Sequence, residues 1–364
     1  MKIKEITNFL EEIAPISYQE VYDICGLILG DKDTEVTNVL ICLDSIEEVI
    51  DEAIERKCNL VIAHHPIIFT GLKKINGKNH IERVIIKAIK NEIAIYALHT
   101  NLDNIKGGVS SKIADLLGLK NQKIITPKKD LLRKLVVFVP KKNKEDLEKT
   151  LFSVGAGSIG NYKNCIFSSY GEGTFLPDKN SNPVIGKIGR QERVEEVKIE
   201  VIFPLNIEKR LISEMKNSHP YEEVSYQIFI LDNIFEDVGS GIFGELDTAV
   251  DTEIFIKNLK KVMKTDCVRY TNIVKNKIKK VSVCGGSGSF LIKNVKDLGS
   301  DIFITSDIKY HEFFKAENDI ILADIGHYES EQFTKRLIYD LLVNNFSSFA
   351  TLLSKVNTNP INYL

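Results

Sequence analysis

Histidine is scarce in this chain, seven among 364 residues, and four of the seven stand where apolar runs end. His64 and His65 close L-V-I-A-H-H-P at 60–66, His99 opens H-T-N-L-D after I-A-I-Y-A-L, and His327 follows I-I-L-A-D-I-G. Neutral imidazole combined with carboxylate suits zinc, iron, manganese or a similar divalent ion. His64 and His65 would face opposite ways on a regular strand. At a strand end, followed by a proline whose ring fixes φ, both can turn into one cleft and reach separate ions. His327 and Glu331 are four apart at the start of a helix and therefore share a face. Asp103 lies just past another strand end and can serve as a bridging carboxylate. His64, His65, Asp103, His327 and Glu331 are the candidate ligands of two divalent metal ions. A bland reading exists for each. A strand-end histidine is commonly a hydrogen-bonded structural residue, and D-x-G-H-x-x-x-E at a strand-to-helix turn can be an N-terminal capping cluster. Two adjacent imidazoles are harder to satisfy without a metal.

Charge supports a pair of ions. Asp103 and Glu331 bring two negative charges and the neutral imidazoles none, so two divalent cations leave an excess of +2 for hydroxide or an anionic substrate. Ions about 3.5–4 Å apart would acidify a shared water and polarise a bond under attack.

Other positions leave alternatives open. Asp307 and His311 form an i, i+4 pair at a strand end, fitting either support of a ligand, acid–base work together with His99, or a surface cap. Gly285-Gly286-Ser287-Gly288 lies between a strand and a helix, where backbone amides could cradle a phosphate, but it lacks both G-x-G-x-x-G and Walker spacing and reads more readily as a tight turn. His80 and His219 occupy polar, loop-like contexts and are expected to be solvated. The lysine pairs 141–142, 260–261 and 279–280 read as exposed faces. The six cysteines are scattered without a C-x-x-C pair, which excludes a zinc ribbon or a disulfide framework.

The elements that must position these residues alternate. A helix over 2–13 carries Ile3, Ile6, Phe9, Leu10 and Ile13 on one face. Strands at 39–43, 60–63 and 93–98 are separated by helices near 46–56 and 81–91, which predicts a mostly parallel sheet covered on both faces. Ligands bind at the carboxyl ends of such strands. From 128 to 233 the order is strand 134–140, helix 142–154, strand 165–169, a loop over 171–186, strand 194–203, helix 207–217 and strand 224–229. This is the split βαβ, ferredoxin-like order. Beyond it a helix over 251–263, strands at 280–283, 301–305 and 320–323, helices near 290–298 and 311–317, and a final helix from about residue 328 resume the first style. The expected organisation is an α/β core formed by 1–127 with 234–364, interrupted by an α+β insert over 128–233.

Length and composition agree with two domains at about 150 residues each. Forty-eight basic and 50 acidic side chains leave a formal charge of −2, which gives no general case for nucleic-acid binding. No apolar run reaches membrane-spanning length, and Glu5, Glu11 and Glu12 interrupt what a signal peptide would need; a cytoplasmic location is expected.

The motifs C-G-L-I-L-G (25–30), A-H-H-P (63–66), H-T-N-L-D (99–103), G-G (107–108), T-S-D-I-K-Y-H (305–311) and D-I-G-H-Y-E-S-E (324–331) together resemble the Nif-like family, known as GTP cyclohydrolase 1 type 2 homologues. V-G-A-G-S-I-G-N-Y-K-N-C (154–165), N-P-V-I-G (182–186) and H-P-Y-E-E-V (219–224) resemble its YqfO-type inserted domain, which is similar to PII and CutA proteins. The resemblance implies a Nif-like two-lobed α/β metal-binding core, a dinuclear centre on the five residues selected above, and a toroidal homohexamer with its sites facing an internal cavity. Ser306 departs from the family's usual T-G-D and adds a side chain beside the expected cleft. The function implied is metal-dependent hydrolysis of a nucleotide or related phosphorylated small molecule; for GTP, attack would fall on the imidazole ring carbon of guanine. The rival is a metal-binding regulatory or scaffold protein whose PII-like insert senses a ligand or partner.

Overall fold

The structure, a computed structural model, describes all 364 residues. The chain divides into two compact units, Met1–Pro127 with Glu236–Leu364, and Lys128–Phe235. In chain order the strands are β1 (Gly26–Leu29), β2 (Asn38–Cys42), β3 (Leu60–Ala63), β4 (Ala94–Ala97) and β5 (Lys120–Lys128). Next come β6 (Leu132–Pro140), β7 (Phe167–Phe175), β8 (Glu192–Pro204) and β9 (Tyr226–Leu231). The remainder are β10 (Phe235–Asp251), β11 (Arg269–Tyr270), β12 (Lys277–Ser287), β13 (Ile302–Ser306), β14 (Ile321–Asp324) and β15 (Ala350–Leu353).

The strands of the larger unit divide between two sheets rather than one. The first has the order β1-β4-β3-β2-β15, with β4, β3, β2 and β15 parallel and β1 antiparallel to β4. Every residue of β3 and β4 is buried, as apolar runs in parallel strands covered on both faces must be. Alternation along β3 decides what each face meets. Ile62 packs in the cluster with Ile3, Ile6 and Leu10 of the first helix (Ile3–Ile13), while Val61 joins Val49 and Ile50 of helix Glu47–Glu55 and Val84 of helix His80–Lys90. Burying each such side chain contributes about 1.5–3 kcal/mol.

The second sheet has the order β11-β14-β13-β12-β10-β5, with β12, β13 and β14 parallel, β10 antiparallel to β12 and β11 antiparallel to β14. Ile302 and Ile304 of β13 pack with Leu259 and Met263, and Phe303 turns to the opposite face against Leu291, Ile292 and Val295. Strands β1, β5, β10, β11 and β15 have no counterpart in the sequence reading. The segment expected as a helix near 311–317 is a 3-10 stretch, Tyr310–Ala316, and the last helix is two, His327–Glu331 and Thr334–Asn345.

In the smaller unit β7-β8-β6-β9 form one antiparallel sheet, and helices Lys144–Val154 and Glu208–Ser218 pack on the face carrying Leu135, Val137, Val197 and Ile199. Counted within the unit, the first strand lies between the third and the fourth, and the second flanks the third at the edge, which is the ferredoxin-like arrangement. Strand β7 extends to Phe175, through glycines that read as loop. No helix of the chain is long and apolar enough to cross a membrane.

Candidate metal centre

Three parallel strands in each sheet of the larger unit deliver the site residues at their carboxyl ends. Asp44 follows β2, His64 and His65 follow β3, and Asp103 ends the short helix Thr100–Asp103 beyond β4. Gly286 lies at the end of β12, Asp307 follows β13, and His327 and Glu331 bracket the helix after β14. The five predicted ligands therefore converge although the sequence separates them widely, and Glu331 is the hub. His64 Nε2 lies 3.6 Å from Glu331 Oε1 and 3.6 Å from Asp103 Oδ1. On the other side, Glu331 Oε2 lies 2.9 Å from His65 Nε2 and 3.1 Å from His327 Nε2. The donor atoms fall into overlapping trios, His64–Asp103–Glu331 and His65–His327–Glu331, each with its atoms within 4.8 Å of one another. The carboxylate divided between the two trios is Glu331, whereas Asp103 belongs to one of them.

The tautomers follow from the partners. His64 Nδ1 lies 2.7 Å from the Leu98 carbonyl, which can only accept, so Nδ1 carries the hydrogen. Asp44 holds His65 Nδ1 at 2.7 Å, Asp307 holds His327 Nδ1 at 2.6 Å, and Asp23 holds His99 Nδ1 at 2.8 Å. All four neutral rings thus turn an Nε2 lone pair inward, as metal-ligating histidines do when their other nitrogen is bonded behind them. The Nε2 atoms of His65 and His327 stand 3.4 Å apart. Two lone pairs at that distance need a cation between them or a proton on one.

Burial sharpens the same point. His64 is fully buried and Glu331 is 2% exposed, yet His64 Nε2, Asp103 Oδ1 and Glu331 Oε2 have no hydrogen-bond partner of acceptable geometry. Orphaned buried polar atoms are rare and costly. His64 Nε2 and Asp103 Oδ1 face one another and Glu331 Oε2 faces His65 and His327, and orphans of ligand type so placed fit divalent cations. Without one, protons do the work. Burial opposes charge on His65, but the hydrogen bond to Asp44 and the nearby Glu331 outweigh it and hold the imidazole up to about 9. His327, likewise opposed by burial, is carried to about 11 by Asp307 and Glu331. Burial pushes His64 down. Glu331 is held well below the usual carboxylate range by the imidazoles despite its burial, while burial and the Glu331 charge push Asp103 well above it.

Asp44 and Asp307 amend the charge count. With Asp103 and Glu331 they make four carboxylates, equal to the +4 of two divalent ions, so the excess of +2 expected from the ligands alone does not remain. Asp307 is held in the left-handed region, φ 57°, a conformation that costs a non-glycine residue of order 1 kcal/mol and here aims its carboxylate at His327.

The other predicted residues fall as follows. His99 joins His64 and His65 in a third trio, ring centroids 5.4 and 5.3 Å away, with Phe69 packed edge-on at 5.7 Å. Asp307 pairs with His327 and not with His311, whose exposed ring lies against Tyr310 and Phe314. His80 is exposed. His219 is not solvated: it is 7% exposed, its Nε2 donates to the Phe138 carbonyl at 2.9 Å, and its Nδ1 accepts the Tyr221 amide. Ser306 is fully buried and its hydroxyl has no partner. The glycine loop has a role that neither reading of it anticipated. A Cβ on Gly286, at φ +62°, would stand 2.3 Å from Glu331 Oε1, so this glycine clears the space for the shared carboxylate. Sequence reasoning also missed Asp44 and Asp23. Asp44 obeys the strand-end rule that selected the ligands; Asp23 lies in a loop and carries no such signal.

Fold and site together define a class: an α/β protein of two sheets whose parallel strands gather histidines and carboxylates into a cluster able to hold metal. A family model described as Duf34/NIF3 (NGG1p interacting factor 3) matches residues 1–360. A Bacillus subtilis protein named GTP cyclohydrolase 1 type 2 homolog is 37% identical over 367 residues, covering 99% of this chain and 98% of its own. A crystal structure of a Bacillus cereus protein related to NIF3 matches with a TM-score of 0.87 at 36% identity, covering 100% of this chain and 99% of that one. A Staphylococcus aureus protein structure matches with a TM-score of 0.79 at 32% identity, covering 100% and 99%. The chain belongs to the Duf34/NIF3 family.

Proposed function

We propose that the chain holds two divalent metal ions and hydrolyses a nucleotide or related phosphorylated small molecule. The observation that carries this reading is the division of the Glu331 carboxylate, one oxygen toward His64 and the other toward His65 and His327. His64, Asp103 and Glu331 would hold one ion, and His65, His327 and Glu331 the other. When bound, such a pair acidifies water and polarises the bond under attack. The chain's own groups then divide the remaining tasks. Asp44 and Asp307 orient His65 and His327. His99, oriented by Asp23 and open to the cluster through Nε2, is the group able to carry a proton to or from substrate. Asp307, committed to His327, acts by positioning, and exposed His311 is assigned no proton transfer. The substrate class rests on the relatives' name, GTP cyclohydrolase 1 type 2 homolog. Metal-loaded protein screened against nucleotides tests it: turnover lost on His99→Ala with metal content unchanged is expected, and no turnover of any nucleotide by protein holding two ions contradicts the activity.

The second reading is a metal-binding regulator whose insert senses a ligand or partner. The observation favouring it is that Lys128–Phe235 folds as a compact unit with its own core. Removing residues 130–232 separates the two: turnover and metal binding that survive make the insert an accessory to an enzyme, and loss of assembly or partner binding favours the regulator. The toroidal homohexamer implied by the resemblance is tested by light scattering on the intact chain.

A further inference from the structure

The insert contains a cavity of about 620 Å³, lined entirely by residues between Phe138 and Ser225. Its floor is the sheet face opposite the helices. Phe138 pairs with Lys198, and Glu196 with Gly171, in register, and these positions alternate with Val137, Val139, Val197 and Ile199 of the core. Leu176, Pro177, Pro183 and Val184 of the irregular segment after β7 supply an apolar wall.

The motif H-P-Y-E-E, which the metal chemistry leaves unused, builds the polar end. His219 is buried and bonded through both ring nitrogens, which fixes the turn and presents Tyr221 to the cavity. The Tyr221 hydroxyl donates to Glu196 Oε1 at 2.9 Å, and its ring meets Phe175 edge-on at 5.8 Å. Gly173 lets the carboxylate lie there, since a Cβ on it would stand 2.1 Å from Glu196 Oε2. Glu222 closes the wall by accepting the Asn182 amide at 2.8 Å. The nearby cations have other partners: Lys198 pairs with Glu200 at 3.0 Å and Arg193 with Glu172 at 2.7 Å. Glu196 is left with a hydroxyl and no cation.

Ligand cavities run from about 300 to 1,000 Å³, mostly apolar with a few placed polar groups. We propose that this cavity binds a small organic cation with a flat apolar body, an aromatic amine in chemical class, its ammonium on Glu196 and its ring against Phe175 and Tyr221. Charge selects the class. An anion would meet an uncompensated carboxylate, and a bare metal ion would find one carboxylate oxygen on an apolar floor. Ring faces and carboxylate together favour a cation.

Tryptamine, tryptophol and indole-3-acetate share one ring system and differ in charge. Titrated calorimetrically into the full-length protein, tryptamine is expected to bind at least tenfold more tightly than tryptophol, with indole-3-acetate weakest. Glu196→Gln removes the preference for tryptamine over tryptophol while tryptophol binding persists. Tyr221→Phe, which keeps the carboxylate but loses its anchor, weakens tryptamine alone. Should Glu196→Gln fail to fold, raised salt provides the same discrimination in wild type, weakening tryptamine and not tryptophol. Removal of metal with a chelator leaves all these affinities unchanged, since nothing in the cavity depends on the metal centre. Equal affinity for the three compounds, a preference that survives Glu196→Gln, or no binding of any of them, as when a segment of a second copy fills the cavity, overturns the proposal.

Discussion

Gly286 and Glu331 are separated by 45 positions in sequence, and the missing side chain of one is what admits the charged end of the other: a Cβ on Gly286 would stand 2.3 Å from Glu331 Oε1. Gly286→Ala should therefore displace the shared carboxylate, and the positive φ adds backbone strain. Metal affinity, measured by competition with a chromophoric chelator, should fall about 10–100-fold, the range found when support of a ligand is lost. An unchanged affinity would mean that Glu331 does not ligate from this position.

Asp44 and Asp307 fix the tautomers of His65 and His327 without touching the ion positions themselves. Asp44→Asn and Asp307→Asn should each lower metal affinity by about 10–100-fold while leaving the far-ultraviolet spectrum intact. The amide can donate as well as accept, so it no longer enforces Nδ1–H. His311→Ala, at an exposed position stacked on Phe314, should leave metal affinity unaltered.

The metal-free cluster has its own pH dependence. His65 is raised from an unfolded value of about 6.5 to about 9, so its contribution to stability is fully present below about 6.5 and is lost as pH rises through about 9. Chelator-treated protein should lose about 3 kcal/mol of unfolding free energy between pH 6 and pH 10 from this group, measured by urea titration. Metal binding runs the other way. It must displace the protons on His65 and His327, so affinity should climb from pH 6 to 8, with proton uptake by the buffer visible in calorimetry across buffers of different ionisation enthalpy. Affinity falling over that range would contradict imidazole ligation.

Phe303 is fully buried in β13, the strand that ends at Ser306 and leads to Asp307. Phe303→Ala should cost about 3–5 kcal/mol by chemical denaturation. Metal stoichiometry in the surviving folded fraction should be unchanged, because Phe303 faces Leu291 and Val295 and not the centre.

The ligand set was readable because scarce residue types sit at a position with a structural meaning, the carboxyl end of an apolar strand. His64 and His65 obey that rule directly and His327 stands three residues past β14, while Asp103 and Glu331 close the short helices that follow β4 and β14, Glu331 being read from its i, i+4 spacing to His327; the structure brings all five together. Asp44 obeys it as well, but a single aspartate after C-L is too common a pattern to stand out. Asp23 approaches His99 through tertiary packing across 76 positions, which no local pattern encodes.

Among the strands, buried parallel runs such as L-V-I-A announced themselves. Strand β10 did not: Gly239, Gly241 and Gly244 interrupt it and read as turn, although the strand runs between β12 and β5 and Gly244 pairs with Val281 of β12. Strand β15 is four residues beyond the last helix and is a strand because it pairs with β2, at the far end of the chain. The His219 environment was misread for a related reason, since its partners, the Phe138 carbonyl and the Tyr221 amide, are supplied by the folded insert.

An anomalous-difference map from a crystal soaked in manganese or zinc gives the most direct view of the centre. Two peaks about 3.5–4 Å apart are expected, one among His64, Asp103 and Glu331, the other among His65, His327 and Glu331. A map with no peak there, or with one peak that leaves either trio unengaged, contradicts a two-ion centre built around Glu331.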